Sequence, residues 1–124
     1  MGVNMCGIVG LFIKNPALES ELGALVAPML SEMTERGPDS AGMAVYRDPN
    51  DKGCKVTVLS QKLYFDWASF EKAVNSHFSL NKFTVTQNHA VLSLDNSLSE
   101  VEQWLASNWT DLSVTSARTN IEIF

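Results

Sequence analysis

The chain has 124 residues, 45% hydrophobic and 19% charged, with a formal net charge of −5 and a pI of about 4.9. That is the length of one ordinary domain or two small units, with a globular composition. The acidic balance argues against a nucleic-acid partner, whose phosphates call for a basic face. No apolar run approaches the roughly 20 residues of a membrane-spanning helix, so no membrane partner is expected either.

Residues 6–13, CGIVGLFI, form a short apolar, β-branched run and predict a buried strand. Asn15-Pro16 then pairs a good N-cap with a residue favoured at the first helical position. Leu18, Leu22, Leu25, Val26, Met29, Leu30 and Met33 follow at spacings of three and four, one apolar stripe on a helix. Pro28 is expected to kink or split that helix, and Arg36-Gly37-Pro38 to stop it. Residues 42–47, GMAVYR, read as a second strand.

The polar cluster at 48–53, DPNDKG, is the best boundary candidate. Beyond it Val56 and Val58 alternate with polar residues, a half-buried strand. Trp67, Phe70, Val74 and Phe78 recur at helical spacing. Residues 82–94 are strand-like on both sides of a tight turn expected at Asn88-His89. Leu98, Val101, Leu105 and Trp109 share a helical face, with Ser97 or Ser99 as cap. Val114, Ile121 and Ile123 close the chain with strand character. The order predicted from residue 54 onwards is βαββαβ, the signature of a ferredoxin-like unit.

The chain contains two cysteines, Cys6 and Cys54, and two histidines, His77 and His89. No Cys/His spacing suggests zinc, and no metal site is expected. Residues 1–12 have neither the basic start nor the small-residue cleavage site of a secretory signal. A chain of this kind reads as cytoplasmic with reduced thiols. Cys54 reads as a bystander on a strand edge, His77 as a helix-end residue suited to the dipole, and His89 as a turn residue. Trp67, Trp104 and Trp109 are expected to fill apolar helix faces.

Two motifs stand apart: Met5-Cys6-Gly7-Ile8-Val9-Gly10 and, about thirty residues later, Arg36-Gly37-Pro38-Asp39-Ser40-Ala41-Gly42. Taken singly, the first fits a core strand with a buried cysteine and the second a plain helix-to-strand turn. As an ordered pair they resemble the start of the class II glutamine amidotransferases, which are Ntn hydrolases. The resemblance covers residues 5–47. It implies an α+β protein: residues 5–48 as the N-terminal part of an Ntn αββα fold, and residues 54–124 as an inserted βαββαβ domain.

The resemblance makes Cys6 the nucleophile and first residue of the mature chain. A thiol is an effective nucleophile once partly ionised, and a free α-amine titrates near 7.7 to 8.0. One residue then supplies both nucleophile and general base. The implied substrate is L-glutamine, with no cofactor bound by this chain. Because Met1 to Met5 would block the amine, the expected functional start is Met5, followed by removal of that methionine; the alternatives are a cleaved propeptide or leading residues foreign to the natural chain. Arg36 and Asp39 are expected to form an ion pair and caps that hold the loop beside Cys6, although a guanidinium also suits the substrate carboxylate. Gly37 and Gly42 are expected to supply backbone shapes closed to other residues.

Other family parts are not found in these 124 residues. Arg118 is followed by Thr119-Asn120, not set in a His-Thr-Arg type segment. Asn88, Asn96 and Asn108 are not followed by the glycine of an oxyanion-hole Asn-Gly pair. One oxyanion donor is worth roughly 10² to 10³ in kcat, so this stretch alone is expected to be inactive or nearly so. An insert directly after the second motif is similar to the amidotransferase subunit of N-methylglutamate synthase and other glutamate-synthase-like enzymes. That likeness implies ammonia transfer to a synthase partner, one with flavin, and makes the closing NIEIF the last strand of the insert at a truncation. The alternative is a non-catalytic interaction or regulatory module with a vestigial amidotransferase N-terminus.

Overall fold

The computed structural model describes residues 6–36 and 40–124, in two units, Met1–Ala41 and Gly42–Phe124. In the first, Asn15 caps as its residue type predicts, its Oδ1 accepting from the Ala17 N–H at 3.1 Å. The chain enters a 3-10 helix at Pro16–Glu21 and continues as α1, Leu22–Ser31. The expected single helix is therefore divided near Glu21, and Pro28 lies inside α1. A proline withholds one i→i−4 hydrogen bond, and the turns on either side of Pro28 carry the helix past it. After Ser31 the chain turns, with the Arg36 N–H donating to the Met33 carbonyl at 2.9 Å.

Residues 6–13 do not form the predicted strand. A strand exists by pairing its N–H and C=O groups with a neighbour, and among the described residues none pairs with this stretch. Within it Val9 and Ile13 are half-buried, while Ile8 and Phe12 are 94% and 82% exposed.

The second unit holds the core. Its elements are β1 (Ala44–Tyr46), β2 (Cys54–Ser60), α2 (Trp67–His77), β3 (Leu80–Thr86), β4 (His89–Leu94), α3 (Leu98–Asn108), β5 (Leu112–Arg118) and β6 (Ile121–Ile123). From β2 to β5 the order is the expected βαββαβ. The strands form an antiparallel sheet in the order β3-β4-β2-β5. The overall class is thus mixed helix and antiparallel sheet, as an α+β chain should be.

Alternation along β2 and β4 sends Cys54, Val56, Val58, Ala90, Leu92 and Leu94 to one face, where Phe70 and Val74 of α2 and Val101 and Leu105 of α3 meet them. Each fully buried side chain of this size contributes about 1.5–3 kcal/mol. Trp67, Trp104 and Trp109 pack at the margin of this core, as expected. Trp109 meets Phe70 edge-on at 4.9 Å between centroids.

Helix ends follow the local chemistry. Asp66 caps α2, its carboxylate accepting from the Ser69 N–H at 3.0 Å and from Ser69 Oγ at 2.6 Å. These bonds hold the Asp66 carboxyl below the usual carboxylate range. Ser97, one of the two expected caps, starts α3 in a capping box with Glu100.

Three expectations shift. The 42–47 strand narrows to Ala44–Tyr46 and pairs antiparallel with Ile121–Ile123. The closing strand therefore lies outside the four-stranded sheet, in a ribbon with β1. The hairpin turn is one residue earlier than expected: Thr86 pairs with His89 across Gln87-Asn88, so His89 begins β4. Gln87 takes the positive φ of 53° that this two-residue connection requires. Finally, Cys54 is not at a sheet edge. It opens β2, one of the two inner strands, and is 3% exposed.

Candidate functional site

Cys6 is a free thiol on the surface. The residue after it, Gly7, is held against the turn that follows α1. A methyl group added at Gly7 would lie 2.8 Å from Met33 Sδ and 3.4 Å from Arg36 Cβ. This close approach brings the backbone next to Cys6 up to the first residue of the RGPDSAG motif. Glycine is the residue that permits it most readily. Pairing the motifs in sequence thus corresponds to a contact within one unit.

Arg36 is exposed at this turn. Gly37 and Asp39, expected to shape the loop and to pair with Arg36, lie outside the described residues. Gly42 does not meet its expectation. Its φ is not positive, and an added methyl would meet only the Phe124 carbonyl oxygen, at an ordinary 3.7 Å. The backbone there leads into β1.

The second cysteine differs in kind. Burial pushes the Cys54 thiol up, and the negative charge of Glu102 adds to the effect. A thiol kept protonated and enclosed is a poor nucleophile. His77 does end α2, as expected, but it stacks on Trp104 with centroids 5.4 Å apart and planes 20° apart. His89 lies edge-on to Phe124 at 5.6 Å. Both histidines are engaged in aromatic packing within the second unit. Two shallow depressions of about 490 and 320 Å³ are lined by residues of the second unit only, Gln61 to Ser113.

Two residues with structural weight escape a reading by periodicity. Gly53 closes the 48–53 turn so tightly that an added methyl would lie 1.8 Å from the Leu94 carbonyl oxygen. Glu122, on a strand where alternation predicts an outward polar side chain, is 7% exposed. It accepts from Lys55 Nζ at 3.4 Å and from Arg47 Nε at 3.1 Å. The DPNDKG turn signal marked the neighbourhood of Gly53; nothing local marks Glu122.

Comparison with known proteins agrees with the motif reading in its coarse form. Over 121 residues, 97% of this chain, it is 39% identical to the glutamine amidotransferase-like protein GlxB of Rhizobium meliloti (strain 1021). A 42-residue stretch is 50% identical to a "putative glutamine amidotransferase" of Methanothermobacter thermautotrophicus. The chain spans 40% of the length of the first of these relatives and 13% of the second. No protein-family model matches, and no solved structure matches significantly. The similarity supports a glutamine amidotransferase-like kinship for this chain.

Proposed function

We propose, from that kinship, that this chain carries the nucleophile of a class II glutamine amidotransferase and that Cys6 performs the attack. One observation carries the reading: Cys6 is an exposed free thiol whose neighbour Gly7 packs on Arg36, the start of the second motif. With Cys6 as first residue, its α-amine takes the thiol proton. Sγ then bonds to the side-chain amide carbon of L-glutamine, the C–N bond breaks, and the nitrogen leaves as ammonia with that proton. Water attacks the resulting γ-glutamyl thioester, releasing glutamate and restoring the thiol. Arg36 and Asp39 hold the loop beside the nucleophile. Ammonia passes to a synthase partner in the cytoplasm, of the flavin-dependent kind found with glutamate-synthase-like and N-methylglutamate-synthase-like subunits. Residues 5–48 belong on this reading to the Ntn fold, and 54–124 form an insert. The β1–β6 pairing supports the insert reading, because it brings the two ends of the second unit side by side.

The test is ammonia release from glutamine by the complete assembly, with the N-terminal residue read by mass spectrometry. Cys6→Ser is expected to lower the rate by about 10³-fold or more, and the active species to begin at Cys6. An active enzyme retaining Met1, or one indifferent to Cys6→Ser, refutes the mechanism. A second reading, an interaction module with a vestigial N-terminus, draws support from the distribution of burial: every buried residue among those described lies at Cys54 or beyond. That reading predicts no glutamine-dependent ammonia release from any assembly containing the chain.

A further inference from the structure

The end of the second unit away from the 48–53 turn gathers three connections: 61–66 between β2 and α2, the Gln87-Asn88 hairpin turn, and 109–111 between α3 and β5. The Ser60 N–H donates to the Asn88 carbonyl at 2.8 Å, and Lys62 pairs with Asp111, so the three lie side by side. Leu63 and Tyr64 stand out from this end, 92% and 97% exposed. Their loop is pinned on both sides. Ser60 is buried, and its Oγ accepts from the Lys62 N–H at 3.1 Å. Phe65 packs on Trp67, ring centroids 4.6 Å apart, and edge-on to Trp109. Large side chains held out on an anchored loop leave less freedom to be lost on binding, which favours association.

Beside this projection lies a recess. A depression of about 320 Å³ is lined by Gln61, Lys62, Thr110, Asp111 and Ser113. It has room for a phenol ring, and its amide, charged and hydroxyl groups suit the hydroxyl at that ring's tip. A projection next to its own complementary recess permits a two-fold contact, in which each copy inserts into the other. Charge permits the approach as well. Within 61–65, 87–88 and 109–111 the charged residues are Lys62 and Asp111, which pair with each other. Asp66, next along, caps α2, where the partial positive charge of the helix N-terminus offsets it. The chain as a whole carries a net charge of −5. Two copies therefore meet at this end without the repulsion that a charge excess imposes.

We infer that this end is a self-association surface on which Tyr64 of one copy seats in the recess between Lys62 and Asp111 of a second copy. The reverse contact closes the dimer, and Leu63 packs beside each inserted ring. Each tyrosine buries about 150–250 Å². The interface is small for a specific one, which corresponds to a Kd on the order of 10 μM. Every residue involved belongs to the second unit, so the inference is independent of the chemistry proposed for Cys6.

The experiment is sedimentation equilibrium of the full chain from about 1 μM to about 1 mM, a range that brackets that Kd. The expected result is a monomer–dimer equilibrium. Tyr64→Asp removes the projection and Ser113→Trp fills the recess, and each variant alone should raise Kd about 100-fold. Mixed together, the two retain one projection and one matching recess. Their heterodimer should be only about 10-fold weaker than the parent dimer. Both positions are exposed, so the urea midpoints should match the parent. Should Ser113→Trp lower its midpoint, Thr110→Trp fills the same recess from the α3–β5 connection and takes its place. Three results overturn the inference: a monomer throughout the range; an association that neither variant weakens, which places it on another face; or two weakened variants whose mixture recovers nothing.

Discussion

The thiol of Cys54 lies in the cluster formed by Val56, Phe70, Leu92 and Leu94, whereas that of Cys6 meets solvent. Ionisation in the apolar site is opposed by lost hydration. Reactivity follows the thiolate and its access. With an aromatic disulfide reagent at pH 8, the folded chain is expected to show one fast thiol and one slower by on the order of 100-fold. The difference should vanish in denaturant. Equal rates in the folded protein would contradict the burial of Cys54. A list of cysteines does not separate the two, because what distinguishes them is the set of distant residues that enclose one and not the other. The position of Cys6 before Gly-Ile-Val-Gly was legible as a motif, and so was the relevance of Arg36.

The hairpins and helices of the second unit follow local chemistry, and their least tolerant point is the entry to β2. Asn50 Nδ2 donates to the Leu94 carbonyl and to Ser93 Oγ, each at 3.1 Å, tying the 48–53 turn to the end of β4. Gly53 passes so close to the Leu94 carbonyl that a methyl group has no room, and both neighbours are backbone. Gly53→Ala must therefore push β2 and β4 apart, at a cost of about 3 kcal/mol. The urea midpoint should fall accordingly; an unchanged midpoint would show that the turn relaxes freely. By contrast, periodicity placed α2 and α3 to within a residue or two, because their apolar faces and caps are encoded in neighbouring positions. Residues 6–13 show the converse: strand-like composition yields no strand while its ladder partners are missing from the described residues.

At the scale of the whole second unit, the chain is closed by an ion pair between residues far apart in sequence. Glu122 sits with Lys55 on the sheet face opposite the helices, their side chains 10% and 14% exposed. Arg47, 59% exposed, adds a weaker, solvent-screened contact. Removing one partner of an enclosed pair leaves the other charge uncompensated. Glu122→Ala is expected to destabilise the unit by about 3 kcal/mol, seen as a lowered urea midpoint. Adding Lys55→Met should recover much of that loss. If the double variant is no better than the single one, the pair is not what holds β6 in place.

By itself, the sequence determined what depends on near neighbours: the βαββαβ order from residue 54, the helix faces and caps, the polar turn at 48–53, and the pair of motifs around Cys6 and Arg36. These signals are local because helix and strand periods, capping and turn chemistry act over a few residues. Tertiary structure alone decided the burial of Cys54, the role of Glu122, the pairing of β1 with β6, and that no described residue pairs with residues 6–13. Each of these depends on which distant backbone or side chain comes alongside, and no short-range pattern encodes that choice.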